Sequence, residues 1–255
     1  MLVDSHCHLN FPELAAKVDD ALALMRENQV THALCVSVTL EEFPQVRALA
    51  ERYPHVYGSV GVHPDYPDVP VVTEDELVAL ANHPKIVAIG ETGLDYYRIK
   101  EDCEWQRERF RTHIRAARRC GKPLIIHTRS AAADTLRIMR EEGAGQAGGV
   151  MHCFTESWEV AQGAMDLGFY ISFSGIVTFK NAIALREVAR QVPLERMLVE
   201  TDSPYLAPVP MRGKVNEPSF VPHVAAKIAA LKGLEMEQVA ETTTRNTMRL
   251  FKDLQ

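Results

Sequence analysis

Short runs of β-branched and aliphatic residues alternate along this chain with longer stretches whose apolar residues recur every three or four positions. The short runs fall at residues 2–8, 32–38, 56–62, 85–91, 123–128, 149–154, 169–174 and 197–201. The intervening stretches, such as 105–121 and 184–192, carry the helical period. Two helix starts read as capping boxes, Thr39 with Glu42 and Thr73 with Glu76. Gly121 and Gly143 stand where helices end on glycine. Eight strands, each followed by a helical segment, predict a single (β/α)8 TIM-like barrel spanning residues 1–255. The competing architecture, a doubly wound open sheet, favours a glycine-rich phosphate loop after the first strand. Here the first strand ends in His-Cys-His instead.

Composition narrows the classes. A 46% hydrophobic content supports a sizeable core, and a net charge of −6 gives no global basic field for nucleic acid. A polyanionic substrate must then be held by local cations or by metal. Five cysteines without a CxxC pair point to free thiols in a reducing compartment rather than a disulfide framework. The N-terminus reads as lacking a signal peptide, and no apolar run reaches the roughly 18 residues of a membrane span. The expected location is cytoplasmic, with no membrane association and no obligate protein partner.

The candidate chemistry collects at one end of the strands. In a barrel the catalytic groups lie at the C-terminal ends of the strands. The first run ends in His6 and His8, the third leads into His63, and the fourth ends in Glu91. The fifth carries His127, the sixth His152, and Asp202 follows the eighth. One histidine in an apolar strand is ordinarily a hydrogen-bonded core residue. So many imidazoles and carboxylates on one rim point instead to a metal centre. Side chains alternate faces along a strand, so His6 and His8 point the same way. His-x-His thereby offers two rings to one ion, and imidazoles with carboxylates suit Zn²⁺ and, more weakly, Mn²⁺ or Mg²⁺. The same alternation turns Cys7 and Cys153 toward the helix layer, and sets Glu200 beside Asp202 and Arg129 beside His127.

The segments DSHCHL (4–9), GVHP (61–64), GETGLDYYR (90–98), IHTR (126–129), HCF (152–154), GFYISFSG (168–175) and ETDSPYLAP (200–208) occur in that order. In this the sequence resembles, over nearly its whole length, the TatD family of hydrolases and deoxyribonucleases within the metal-dependent amidohydrolase superfamily. The resemblance implies two divalent ions per chain, with Glu91 giving one oxygen to each. It assigns His6, His8 and Asp202 to one ion and His127 and His152 to the other. Such a pair of ions can share a bridging water and lower its pKa toward neutrality. Asp202 is then the expected proton acceptor. His63 is expected either to steer a phosphate or protonate a leaving oxygen, or to serve only as a turn cap before Pro64. Glu200 either orients a ligand histidine or belongs to an additional metal site. Arg129 contacts phosphate or pairs with a rim carboxylate. Arg212 and Lys214 lie in a short basic loop. Tyr96 and Tyr97 either stack on a base or pack their loop. The resemblance implies 3′–5′ hydrolysis of single-stranded or frayed DNA. Hydrolysis of a small amide, ester or phosphate at the same centre is the alternative, because a barrel does not fix its substrate.

Overall fold

The computed structural model describes residues 1–97, 103–252 and 254. Eight parallel strands are hydrogen-bonded in sequence order: β1 (Leu2–Cys7), β2 (Val30–Cys35), β3 (Val56–Val60), β4 (Ile86–Asp95), β5 (Leu124–Arg129), β6 (Gly149–Met151), β7 (Tyr170–Phe173) and β8 (Met197–Val199). Just past β8 the chain returns to β1. Asp202 N–H donates to His6 O at 3.0 Å and His8 N–H donates to Ser203 O at 2.8 Å. These bonds bring the sheet to a nearly closed (β/α)8 barrel. The helices lie between the strands: α1 (Pro12–Ala15) and α2 (Val18–Glu27) after β1, α3 (Phe43–Arg52), α4 (Glu74–Ala81), α5 (Glu104–Cys120), α6 (Ala132–Glu141), α7 (Trp158–Asp166) and α8 (Ile183–Gln191) after the next six. After β8 come α9 (Val221–Lys232) and α10 (Met236–Leu250).

Alternation along the strands divides the core. On β5, Ile125 joins an inner cluster while Leu124 and Ile126 join the larger one shared with the helices. The inner cluster takes Leu34, Tyr57, Val87, Ile125, Val150, Tyr170 and Leu198 from β2 to β8, so it fills the barrel. Phe251 and Leu254, beyond α10, also pack in it. Cys7 packs in the larger cluster, as alternation implies.

The helix ends follow their sequence signals, with one exception. Thr73 and Glu76 form the reciprocal capping box of α4. Gly121 and Gly143 adopt left-handed φ of 68° and 63° after α5 and α6. At Thr39 only half the expected box exists. Its hydroxyl accepts from Glu42 N–H at 3.2 Å, while Glu42 Oε2 is buried without a partner and α3 begins only at Phe43, beside Pro44.

His113 on α5 supports the loop that carries His63. Its Nδ1–H donates to Arg109 O at 2.8 Å, leaving Nε2 to accept Val62 N–H at 3.0 Å. A protonated ring could not accept that bond, and burial pushes the His113 pKa down to about 4. The folded pKa lies below the unfolded one, so the unfolded chain binds the extra proton between them. The stability from neutral His113 is therefore complete above about pH 6.5 and is lost as pH falls toward 4. The wild type should accordingly lose up to about 3 kcal/mol over that window relative to His113→Gln. Urea unfolding of both proteins from pH 4 to 8 checks this, and parallel curves would reject it.

Candidate metal centre

Glu91 sits at an irregularity within β4 rather than at its end, where the sequence had suggested it. Along β4, Ile89 pairs with Leu124 and Thr92 with Ile126, so three residues on one strand span two on the other. This is the signature of a bulge, which re-aims a side chain. Glycine permits the close packing there. A Cβ on Gly90, whose φ is 145°, would lie 2.6 Å from Ile125 O, and one on Gly61 would lie 2.6 Å from Gly90. Ser59 Oγ donates to Gly90 O at 2.6 Å, and Glu91 N–H donates to Ser37 O at 3.0 Å. The Glu91 carboxylate is thereby fixed in the barrel mouth, 3% exposed.

The two carboxylate oxygens face different partners. Oε2 lies 3.3 Å from His6 Nε2 and 4.0 Å from His8 Nε2. Those two nitrogens lie 3.3 Å apart, and Asp202 Oδ1 is 3.7 and 3.6 Å from them. Oε1 lies 2.8 Å from His152 Nε2, 3.2 Å from His127 Nδ1 and 3.3 Å from His63 Nε2. All six expected ligand residues thus converge, and His63 joins them as a seventh. His6, His8 and Glu91, or His6, His152 and Asp202, or His63, Glu91 and His127 could each surround an ion. Ligands at about 2.0–2.1 Å in a tetrahedron stand roughly 3.3–3.5 Å from one another, close to the spacings seen.

The surrounding hydrogen bonds set which ring nitrogens carry protons. His8 Nδ1 donates to Val36 O at 2.9 Å, so the lone pair is on Nε2. His152 Nδ1 donates to Glu200 Oε1 at 3.2 Å, so its Nε2 lone pair faces Glu91. His127 is reversed: Nε2–H donates to Asp95 Oδ2 at 3.0 Å and Nδ1 faces Glu91. Lone pairs and a carboxylate therefore point at one another in a buried space, and His152 Nε2 makes no hydrogen bond there. Such an arrangement calls for a cation. The carboxylates also draw positive charge into this space. Burial would drive the His152 pKa down, but Glu91 and Glu200 hold it well above the usual imidazole range. Burial would raise Glu91, but the surrounding histidines hold it well below the carboxylate range. Asp202 is likewise held low against burial by His8 and the neighbouring rings. The donor set fits divalent metal.

His63 behaves differently from the other rings. Its Nδ1 accepts Asp65 N–H at 3.0 Å, so the neutral ring carries its proton on Nε2. It therefore presents an N–H, not a lone pair, toward Glu91 and His127. Burial, the largest influence, holds its pKa below the ordinary value.

Two contributors, Asp95 and Asp4, carried no signal strong enough to single out in the sequence, and a third, Cys153, lies elsewhere than expected. Asp95 closes β4 and orients His127; Thr92, Gly93 and Leu94 separate it from Glu91, which lies in the irregular part of the strand. Asp4 accepts from Thr201 N–H at 2.9 Å and Thr201 Oγ1 at 2.6 Å, tying the segment that bears Asp202 to β1. Burial pushes its pKa up to about 8 against those bonds. Cys153 corrects the sequence expectation. It lines the mouth beside Ser174, 3.2 Å from that hydroxyl, instead of facing the helices. Strand alternation stops at Met151, and Cys153 has a φ of 42°. Burial and the nearby Asp202 and Glu200 carboxylates raise its thiol pKa, which keeps it protonated.

Of the other expected residues, Glu200 is buried and also accepts Cys153 N–H at 2.8 Å, so it orients the His152 segment. Arg129 lines the mouth and stacks on Tyr97, its guanidinium carbon 3.7 Å from the ring centre. Tyr96 packs its loop, donating to Asp134 at 2.8 Å. Arg212 is turned aside, donating to Ala207 O at 2.9 Å and stacking on Phe179, and Lys214 is exposed. Arg98, the last residue of the GETGLDYYR segment, lies outside the described residues.

A barrel whose C-terminal rim gathers these donors is the framework of a metal-dependent hydrolase. The chain belongs to the TatD-related DNase family, whose model matches residues 3–252. It is 52% identical over 253 residues to the uncharacterized metal-dependent hydrolase YcfH of Escherichia coli K12, covering 98% of this chain and 95% of that protein. It is 33% identical over 257 residues to the 3′-5′ ssDNA/RNA exonuclease TatD of Salmonella typhimurium, covering 98% and 99%. Among solved structures it resembles YJJV, a TatD homologue from Escherichia coli, with a TM-score of 0.91 at 27% identity and 98% of each chain covered.

If Asp95 orients a ligand, Asp95→Asn should weaken metal binding by about 10–100-fold while the fold persists. Metal titration with circular dichroism as a control tests this. Unchanged affinity would show that the His127–Asp95 bond has no part in binding.

Proposed function

We propose that this protein is an exonuclease that removes nucleotides from the 3′ end of single-stranded or frayed DNA at two divalent metal ions. His6, His8 and Asp202 would hold one ion, His127 and His152 the other, and Glu91 both. The observation that carries the proposal is the division of Glu91, one oxygen facing each group of donors, at the floor of a cavity of about 810 Å³. The family description and the name of the Salmonella relative support phosphodiester hydrolysis.

When bound, the ions supply an acidified water and a counter-charge for the phosphoryl oxygens. The protein's own groups do the rest. Asp202, held ionised by its neighbours, accepts a proton from the attacking water and can return it to the leaving oxygen. His63, kept neutral by burial, is suited to donate its Nε2–H to a phosphoryl oxygen rather than to surrender a proton. Glu200 and Asp95 hold His152 and His127 in the required tautomers. Arg129, spread flat on Tyr97, has its N–H edge available for a second phosphate. A mouth sunk among loops admits a strand end more readily than the middle of a stiff duplex.

A small-molecule ester, amide or phosphate remains the second reading. It is favoured by the acidic balance of the chain and by Arg129 being the sole arginine or lysine among the described residues that line the mouth.

An end-labelled single strand compared with the same strand circularised separates the readings. The linear strand should be shortened from its 3′ end and the circle left intact. Equal cleavage of the circle would contradict end dependence. No cleavage of either by metal-loaded protein would favour the small-molecule substrate. Asp202→Asn should lower kcat by roughly 10²–10⁴-fold with the second ion retained, as turnover with elemental analysis would measure.

A further inference from the structure

The cavity above the metal centre has unlike walls. On one side Arg129 lies over Tyr97. On the other, an aromatic series leads outward from a candidate metal ligand. Phe11 stacks on His8 with ring centres 4.5 Å apart and an interplanar angle of 13°. Tyr205 meets Phe11 edge-on at 6.1 Å. Both line the cavity, and Tyr205 is 53% exposed.

Tyr205 is fixed through its backbone. Its N–H donates to Asp202 O at 3.1 Å, and its carbonyl accepts from the buried Asn216 side chain at 2.5 Å. Among the described residues its hydroxyl has no hydrogen-bond partner. The ring is thus held at a set distance from Asp202 with a face left open, beside Ile176 and Leu206 of the same wall. An anchored backbone with a ring that is half exposed and, among the described aromatic rings, touches only Phe11 edge-on suits a stacking surface whose partner comes from outside. The metal centre takes an anionic group, so a ligand reaching both must join a phosphate to a flat apolar ring. A nucleotide does so.

We propose that Tyr205, backed by Phe11, stacks on the base of the nucleotide whose phosphate occupies the metal centre. This rests on the nuclease reading and deepens it by giving the terminal base its own subsite. Stacking accepts every base because each has a π face, so the subsite is sequence-tolerant. Arg129, on the opposite wall, is left for the preceding phosphate, which gives the bound strand one direction across the mouth.

The test compares two ligands on metal-loaded protein by calorimetry: deoxyadenosine 5′-monophosphate and 2-deoxyribose 5-phosphate, which lacks the base. Wild type should bind the nucleotide roughly tenfold more tightly, within the range expected of one base–aromatic stack. Tyr205→Ala should remove that preference and Tyr205→Phe should keep it, with metal content unchanged in both. In parallel, Tyr205→Ala should raise KM roughly tenfold for a strand ending in a normal nucleotide, and leave KM unchanged for one ending in an abasic residue. Equal binding of the two ligands by wild type, or a base preference surviving in Tyr205→Ala, would overturn the subsite even if strands are cut. A Tyr205-dependent base preference in a protein that cuts no strand would instead uphold the subsite and overturn the nuclease reading.

Discussion

The buried carboxylate of Glu91 is the constraint on which the barrel mouth depends. A lone ionised carboxylate in a protein interior is costly unless charge and hydrogen bonds compensate it. Here the compensation comes from five imidazoles, each fixed from behind by another residue or by backbone, except His6. His6 Nδ1 is buried without a partner, and its ring lies parallel to His152 with centres 3.9 Å apart. Stacked rings of this kind repel if both are charged, and the pKa of His6 is lowered by burial and by His152. A divalent ion displaces protons from the imidazoles that bind it, so it would hold these rings neutral beside the ionised carboxylate.

Much of the surrounding structure can be understood as support for that arrangement. The bulge at Gly90 turns Glu91 inward, and Ser59 and Ser37 hold the bulge. Asp4 ties Thr201 to β1 so that Asp202 reaches the same centre from the far side of the barrel seam. His113, remote from the centre, steadies the backbone just before His63. The inner apolar cluster below the mouth gives these groups a rigid floor, as precise ligand geometry demands.

The barrel and the gathering of the six candidate donors at one rim were legible in the sequence because strand periodicity governs most of both. Eight short apolar runs gave the strands, and the His-x-His spacing brought His6 and His8 together. What was not legible depends on breaks in that periodicity. The bulge placed Glu91 inside β4 and carried Asp95 to the back of His127. The left-handed residues Cys153 and Asp202, with φ of 42° and 57°, lie beyond the ends of β6 and β8, where alternation no longer says which way a side chain points. Asp202 still reached the centre, whereas Cys153 turned into the mouth. The roles of Glu200 and Arg129 depend on partners distant in sequence, His152 and Tyr97 among them.

The central claim is that one carboxylate organises two metal ions. Its most direct test is anomalous diffraction from crystals of the metal-loaded protein, wild type beside Glu91→Gln. The account predicts two peaks in the wild type, one on each side of the Glu91 carboxylate, and weakening of both in the variant. A single wild-type peak, or two peaks at full strength in Glu91→Gln, would contradict it.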